Sequence, residues 1–474
     1  MPAEPRSWWG FARTYLSNAY LLYALQLLGA TLWVYFVGAD SYGFAALYTA
    51  VVVFPINLLE VGLTAVVYSP ATISSTRLDS LARQQSTLGL GLGVGLALLA
   101  WPIAHFVEQS ELLVLLLLTA GFIPLVGLGK LRQRYIYRLG DAQTLSLAWW
   151  VKLVTRYVVA VLVLAAWKSP ASLAIGAAAS LVLEALMLLT WKTQIWRPSI
   201  NRLGFGAVAE MKKRLISSGE NIVTTILEEG DAIFFSNILG ELEYGYYAFV
   251  RRLFLSGSYL VSGPLNAVIL PLYRESKRAR SIYDSHLLSL TTIIGGSLII
   301  SSLGITVAAH YLQVKVFSNM ILYVVPLACW AAVSLPIYAT ITLGYGIDRI
   351  TALSRGSLLA AVIITTGYIS VPMLGFVQGA QFVCLTIVAA YLLQVFQMRQ
   401  TLSGPLLSLI WPYISLSVLA IVACGIHYAT LDSHILFAIL GSFSLLVGIL
   451  ILVNGHKLLE TWHALNAARS GSAL

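Results

Sequence analysis

The chain has 474 residues, of which 58% are hydrophobic and only 10% charged. Its mean hydropathy is +0.83. A soluble chain would be about a quarter charged, so a water-covered globular enzyme is excluded. Apolar runs long enough for the roughly 20 residues that a helix needs to cross a bilayer recur along the whole length. The fold class is therefore an all-α polytopic membrane protein.

Fourteen spans are predicted in chain order: 16–37, 42–68, 85–107, 112–129, 142–166, 171–191, 215–239, 244–273, 285–309, 319–343, 350–372, 378–398, 406–428 and 434–454. Pro326 and Pro336 interrupt the tenth. Of the 29 basic residues, Lys168 and Lys315 fall in loops on one side. Lys152, Arg156, Arg251, Arg252 and Arg355 fall inside spans. The other 22 lie at the termini and in the opposite loops, among them Lys130, Arg132, Arg134 and Arg138, and Lys212, Lys213 and Arg214. Cytoplasmic loops carry the Lys/Arg excess, so both termini are expected in the cytoplasm and the protein in the cytoplasmic (inner) membrane. Anionic lipid of that leaflet accounts for the net charge of +9 without nucleic acid.

The loops on the outer side are short, the longest near His310 to Ser318. They leave no room for the outer domain of a membrane polymerase or glycosyltransferase. Cys329, Cys384 and Cys424 sit in apolar runs without a ligand pattern, so no metal and no cofactor is expected. Gly89, Gly91, Gly93 and Gly95 alternate inside the third span. They follow no strand and read as small residues for helix packing rather than a phosphate loop. Without a nucleotide site, the energy for work would come from a coupling ion, H+ or Na+, from the potential, or from removal of product.

Gly38-Ala39-Asp40-Ser41-Tyr42-Gly43 closes the first hairpin, and Gly240-Glu241-Leu242-Glu243-Tyr244-Gly245 closes one 202 residues later. At this offset Ala46, Leu63, Ala65 and Val66 fall on Ala248, Leu265, Ala267 and Val268. An offset crossing six spans preserves orientation, which predicts two parallel six-helix lobes, a layout used for alternating access. The expected domains are an N-terminal lobe 1–191, a cytoplasmic connector 192–214, a C-terminal lobe 215–398, and two extra helices with a tail over 399–474.

The glycine–tyrosine hairpin, followed by Leu59-Glu60-Val61-Gly62-Leu63, resembles the first hairpin of bacterial polysaccharide-transport flippases. So do Gly230-Asp231, Asn237-Ile238-Leu239-Gly240, Tyr244-Gly245-Tyr246-Tyr247 and Pro271-Leu272-Tyr273. These are the Wzx-type O-antigen and exopolysaccharide members of the multidrug/oligosaccharidyl-lipid/polysaccharide superfamily. The resemblance implies two lobes around a central cavity lined by spans one, two, seven and eight. It implies a non-enzymatic transporter whose substrate is an undecaprenyl-diphosphate-linked oligosaccharide, working beside the polymerase and glycosyltransferases of lipopolysaccharide or related polysaccharide biosynthesis. A lipid II flippase and a multidrug cation antiporter are the alternatives.

Ionisable residues inside a membrane cost about 2.5–3.5 kcal/mol each, so each asks for a reason. Glu220, Thr224, Glu228 and Asp231 share one face of span seven, with Glu229 on the adjacent stripe. These acids are expected to line a cavity and to bind the coupling ion. Glu60, nearer the cytoplasm, is a further proton or cation site. Arg251 and Arg252 lie at about the depth of Glu228 and Asp231 on the returning span. Either they neutralise these acids, or one of them binds diphosphate through its planar fork. In span five, Lys152 and Arg156 share a face, and Glu184 of span six lies at a similar depth. Two cations against one acid leave a positive surplus suited to an anionic head group.

Overall fold

A computed structural model of the chain describes residues 8–60, 63, 74–139, 141–191, 219–275, 291, 294–299, 301–306, 320–346, 350–398, 419–420 and 422–423. The connector 192–214, the span 434–454, most of 406–428 and Cys424 lie outside them. The described residues are helical almost throughout, and nine stretches among them are long and apolar enough to cross a membrane.

The elements are α1 (Trp8–Phe36), α2 (Ala39–Leu59), α3 (Ser75–Phe106), α4 (Ser110–Arg138), α5 (Ala142–Trp167), α6 (Ser172–Thr190), α7 (Gly219–Glu275), α8 (Ile321–Gly346) and α9 (Ile350–Met398). The chain divides into two compact units, Met1–Phe249 and Val250–Leu474.

In the first unit, α3 packs chiefly on α4 and α5 chiefly on α6. The most buried helix is α2, which touches α1, α3, α4 and α6. Its buried face is built of small and aromatic residues such as Ala45, Tyr48 and Val52. Helix α3 carries Leu90, Val94, Leu98 and Trp101 exposed, the composition of a lipid-facing surface.

Two boundaries differ from the sequence expectation. Helix α3 begins ten residues before the predicted 85, because the Ser74 hydroxyl accepts from the Arg77 backbone N–H at 3.3 Å and caps the first turn. Helix α4 runs nine residues past the predicted 129, so Lys130, Arg132, Arg134 and Arg138 are helical and not in a loop. Hydropathy sees only the apolar part of a helix; a polar continuation needs no membrane.

Two long helical stretches fold back on themselves. α7 breaks at Gly240, whose φ of 69° is open to glycine without strain. Across this break Tyr247 stacks on Phe235 with ring centroids 4.8 Å apart. In α9 the Gln394 amide donates to the Ser357 hydroxyl at 3.0 Å. A Cβ on Gly367 would meet Thr386, and one on Gly379 would lie 2.9 Å from the Cα of Val371. Contacts in which one number rises as the other falls define antiparallel arms, in agreement with the separate spans expected at 350–372 and 378–398. In the second unit α8 packs on α9 through Trp330 on Tyr368 and Tyr323 on Phe376.

Candidate functional site

Charged side chains gather inside the first unit at two levels. At the end of α2, Glu60 accepts from Lys130 Nζ at 2.8 Å and from Arg134. Lys130 and Arg134 stand one turn apart on α4, so both reach the same carboxylate. Glu60, expected as a proton or cation site, is thus held between two fixed cations and is largely buried. Arg132, between them in sequence, points elsewhere and is fully buried. It donates to the carbonyls of Leu189 at 3.1 Å and Trp191 at 2.6 Å, closing the end of α6 where helical carbonyls lack partners.

The second level joins α5 and α6. Lys152 Nζ lies 3.1 Å from Glu184 Oε2, an exposed cation on a buried acid. Glu184 also lies within electrostatic reach of Lys130, linking the two levels. Arg156 is one turn beyond Lys152 at mid-helix. Its backbone carbonyl packs where a Cβ on Gly176 would fall, so glycine brings α6 against α5 here. Its Nε is buried without a hydrogen-bond partner, and no carboxylate among the described residues pairs with it. The nearby Tyr48 hydroxyl is held by Thr119 at 2.6 Å, and Thr119 in turn donates to the Leu115 carbonyl.

The acids of α7 differ in burial. Glu228 and Glu229 are half-buried and Asp231 is fully buried. The side chain of Glu220 is outside the described residues. Asp231 accepts from the Tyr247 hydroxyl across the Gly240 break. Thr225, on the adjacent stripe, accepts from Asn57 of α2 at 3.0 Å. Arg251 and Arg252 are half-buried neighbours on the second arm of α7, in the second unit.

The structure thus brings together Lys152 with Glu184, and Glu60 with Lys130 and Arg134. Tyr247, Asn57 and Tyr48 were missed in the sequence. The polar Asn57 in an apolar run and the hairpin motif around Tyr247 were the visible signals; Tyr48, one of 24 tyrosines, carried none.

The family described as Polysaccharide biosynthesis protein matches residues 35–317. Among solved structures, the lipid II flippase MurJ in an inward closed conformation is similar over 94% of this chain and 99% of its own, with a TM-score of 0.59 and 14% identity. MATE in complex with MaD3S is similar over 88% of this chain and 97% of its own, at a TM-score of 0.52 and 13% identity. MATE in the bent conformation is similar over 86% and 95%, at 0.50 and 14%. No curated protein matches the chain. At these identities the structural likeness speaks for the fold alone, that of an all-helical polytopic membrane protein. The family match covers more than half of the chain and bears out the resemblance read from the two glycine–tyrosine hairpins. The chain belongs to the polysaccharide biosynthesis protein family.

Proposed function

We propose that the protein is a flippase moving an undecaprenyl-diphosphate-linked oligosaccharide from the inner to the outer leaflet by alternating access. The observation that carries this reading is the unbalanced positive charge within the first six helices. Glu60 and Glu184 face Lys130, Arg134 and Lys152, and Arg156 is left over. A diphosphate leaving water loses its hydration, and only cations not already neutralised can compensate. Arg156 in the first lobe and Arg251 or Arg252 in the second supply planar forks that suit phosphate oxygens.

The architecture that goes with this reading is two parallel six-helix lobes, 1–191 and 215–398, around a central cavity. The connector 192–214 joins them and two further helices follow in 399–474, giving fourteen spans. Both termini face the cytoplasm and the protein resides in the inner membrane beside the polymerase and glycosyltransferases of its pathway. Glu228, Glu229, Asp231 and Glu220 serve the coupling ion, H+ or Na+.

The likeness to a lipid II flippase favours, as second reading, the peptidoglycan precursor as the cargo. A multidrug cation antiporter would share the fold but gains nothing from surplus cations.

The test is deletion of the gene with assay of lipid-linked glycan by leaflet. The glycan should accumulate on the cytoplasmic side and be released by complementation. Normal surface glycan with lipid II retained inside would favour the second reading. Both normal would overturn the flippase.

A further inference from the structure

We infer that Arg156 is the anion-binding cation of the first lobe, whereas its neighbour Lys152 belongs to a structural pair. This rests on the flippase reading and narrows it to one side chain and one ligand chemistry, a phosphate-type oxyanion.

Sequence alone makes Lys152 and Arg156 equivalent, two cations one turn apart on a helix face. The structure separates them. Lys152 is paired with Glu184, which is 5% exposed and needs a cation to be tolerated there. Removing Lys152 would orphan a buried acid, a sufficient reason for its presence.

Arg156 has no such reason. It stands 14 residues after Ala142 and 11 before Trp167, so about 21 Å and 16 Å from the helix ends at ~1.5 Å per residue. That is too deep for its head to reach water at either face easily. Its Nε is buried and unbonded, and no acid among the described residues meets it. Glu60 is engaged by two cations and Glu184 by Lys152. The Tyr48 hydroxyl beside Arg156 donates to Thr119, since Thr119 spends its own proton on Leu115. A cation kept at this depth without a protein anion fits a ligand that brings the anion. Its fork prefers two oxygens in one plane, as on a phosphate.

The experiment uses the full chain in phosphatidylcholine nanodiscs, with inorganic pyrophosphate and, separately, farnesyl diphosphate in the bilayer as probes. Arg156→Lys should weaken binding of both by about tenfold or more, since an ammonium keeps the charge but loses the fork. Arg156→Gln should remove it. Lys152→Met combined with Glu184→Met, which deletes the pair as a neutral unit, should keep affinity within about threefold. Loss of farnesyl diphosphate binding alone would assign the site to the lipid head group, and equal loss of both to the diphosphate itself; either supports Arg156. The inference is overturned if Arg156→Lys binds as the parent does, or if the neutral pair variant loses as much as Arg156→Gln. The gene deletion test judges the flippase reading independently of this result.

Discussion

Gly43 and Gly245, 202 residues apart, meet so closely that a Cβ on Gly43 would lie 2.9 Å from the Cα of Gly245. A Cβ on Gly245 would fall on the backbone carbonyl of Ala39. Each glycine follows by five residues another glycine of positive φ, Gly38 at +128° and Gly240 at +69°. Gly38 and Gly240 thus share a positive φ, and the glycines five residues after them touch each other. Tyr42 adds an edge-on contact with Phe249 at 5.9 Å, and Gln109 donates to Glu241 at 2.7 Å.

Gly245→Ala should therefore force backbone apart and cost about 1–3 kcal/mol, the usual range for overpacking. Thermal unfolding of the purified protein in detergent reads this directly. Gly91→Ala, where an added Cβ meets nothing within 4 Å, is the control and should melt with the parent. Equal melting of all three proteins would refute the close contact.

Glu60→Gln leaves Lys130 and Arg134 facing each other without a carboxylate. Breaking a buried ion cluster by one partner costs about 3–5 kcal/mol, so little folded protein should accumulate. Replacing all three by Gln, Met and Leu should restore much of it. A stable Glu60→Gln protein whose transport has a changed pH or Na+ dependence would instead make Glu60 the coupling site.

Arg132→Met should free the last carbonyls of α6. Losing charge-assisted hydrogen bonds to Leu189 and Trp191 costs about 2–3 kcal/mol. Hydrogen exchange should quicken at the end of α6 while α3 stays protected. Uniform exchange across both helices would place the damage elsewhere.

Tyr247→Phe removes a donor to a fully buried carboxylate and should cost about 1–3 kcal/mol. Asp231→Asn added to it should cost less than the sum, by at least about 0.5 kcal/mol for groups in contact. Additive losses would mean the two do not communicate. Neutralising Glu228 and Asp231 together should change the pH or Na+ dependence of transport; lower transport with the same dependence would make them structural.

Arg251→Ala should abolish glycan export in a protein that still inserts, and Arg251→Lys should remain impaired. Arg355→Ala, one turn into its span, should be nearly silent. Reporters fused after Leu474 and within 192–214 should both report cytoplasm. An outer position of either would overturn the proposed orientation.

The helical, membrane-crossing fold was legible because burial in lipid demands long apolar runs, and such runs are countable. The Lys152–Glu184 pair was legible for a related reason. Two charges at one depth on consecutive antiparallel spans have few other partners. The Glu60 cluster was not, because Lys130 and Arg134 looked like loop charges until α4 proved to continue through them. The hydrogen bond from Tyr247 to Asp231 was not legible either, because only the turn at Gly240 brings the tyrosine within reach. Asn57 and Thr225 are 168 residues apart on crossing helices, and no local pattern encodes such a meeting.

The alternating glycines of α3 do not share one environment. A Cβ on Gly89 would lie 2.7 Å from Pro124, and one on Gly93 would lie 2.6 Å from the Ala120 carbonyl, while Gly91 and Gly95 look into open space. The run therefore faces two unequal constraints on one helix. Its packed side is frozen, since any larger side chain must push α4 away. Its open side is free to drift, and leucine or alanine there would fit the lipid as well. Relatives of this chain are expected to keep the glycines four residues apart at 89 and 93 and to lose the interleaved pair, so the repeat would fade from one side of α3 only.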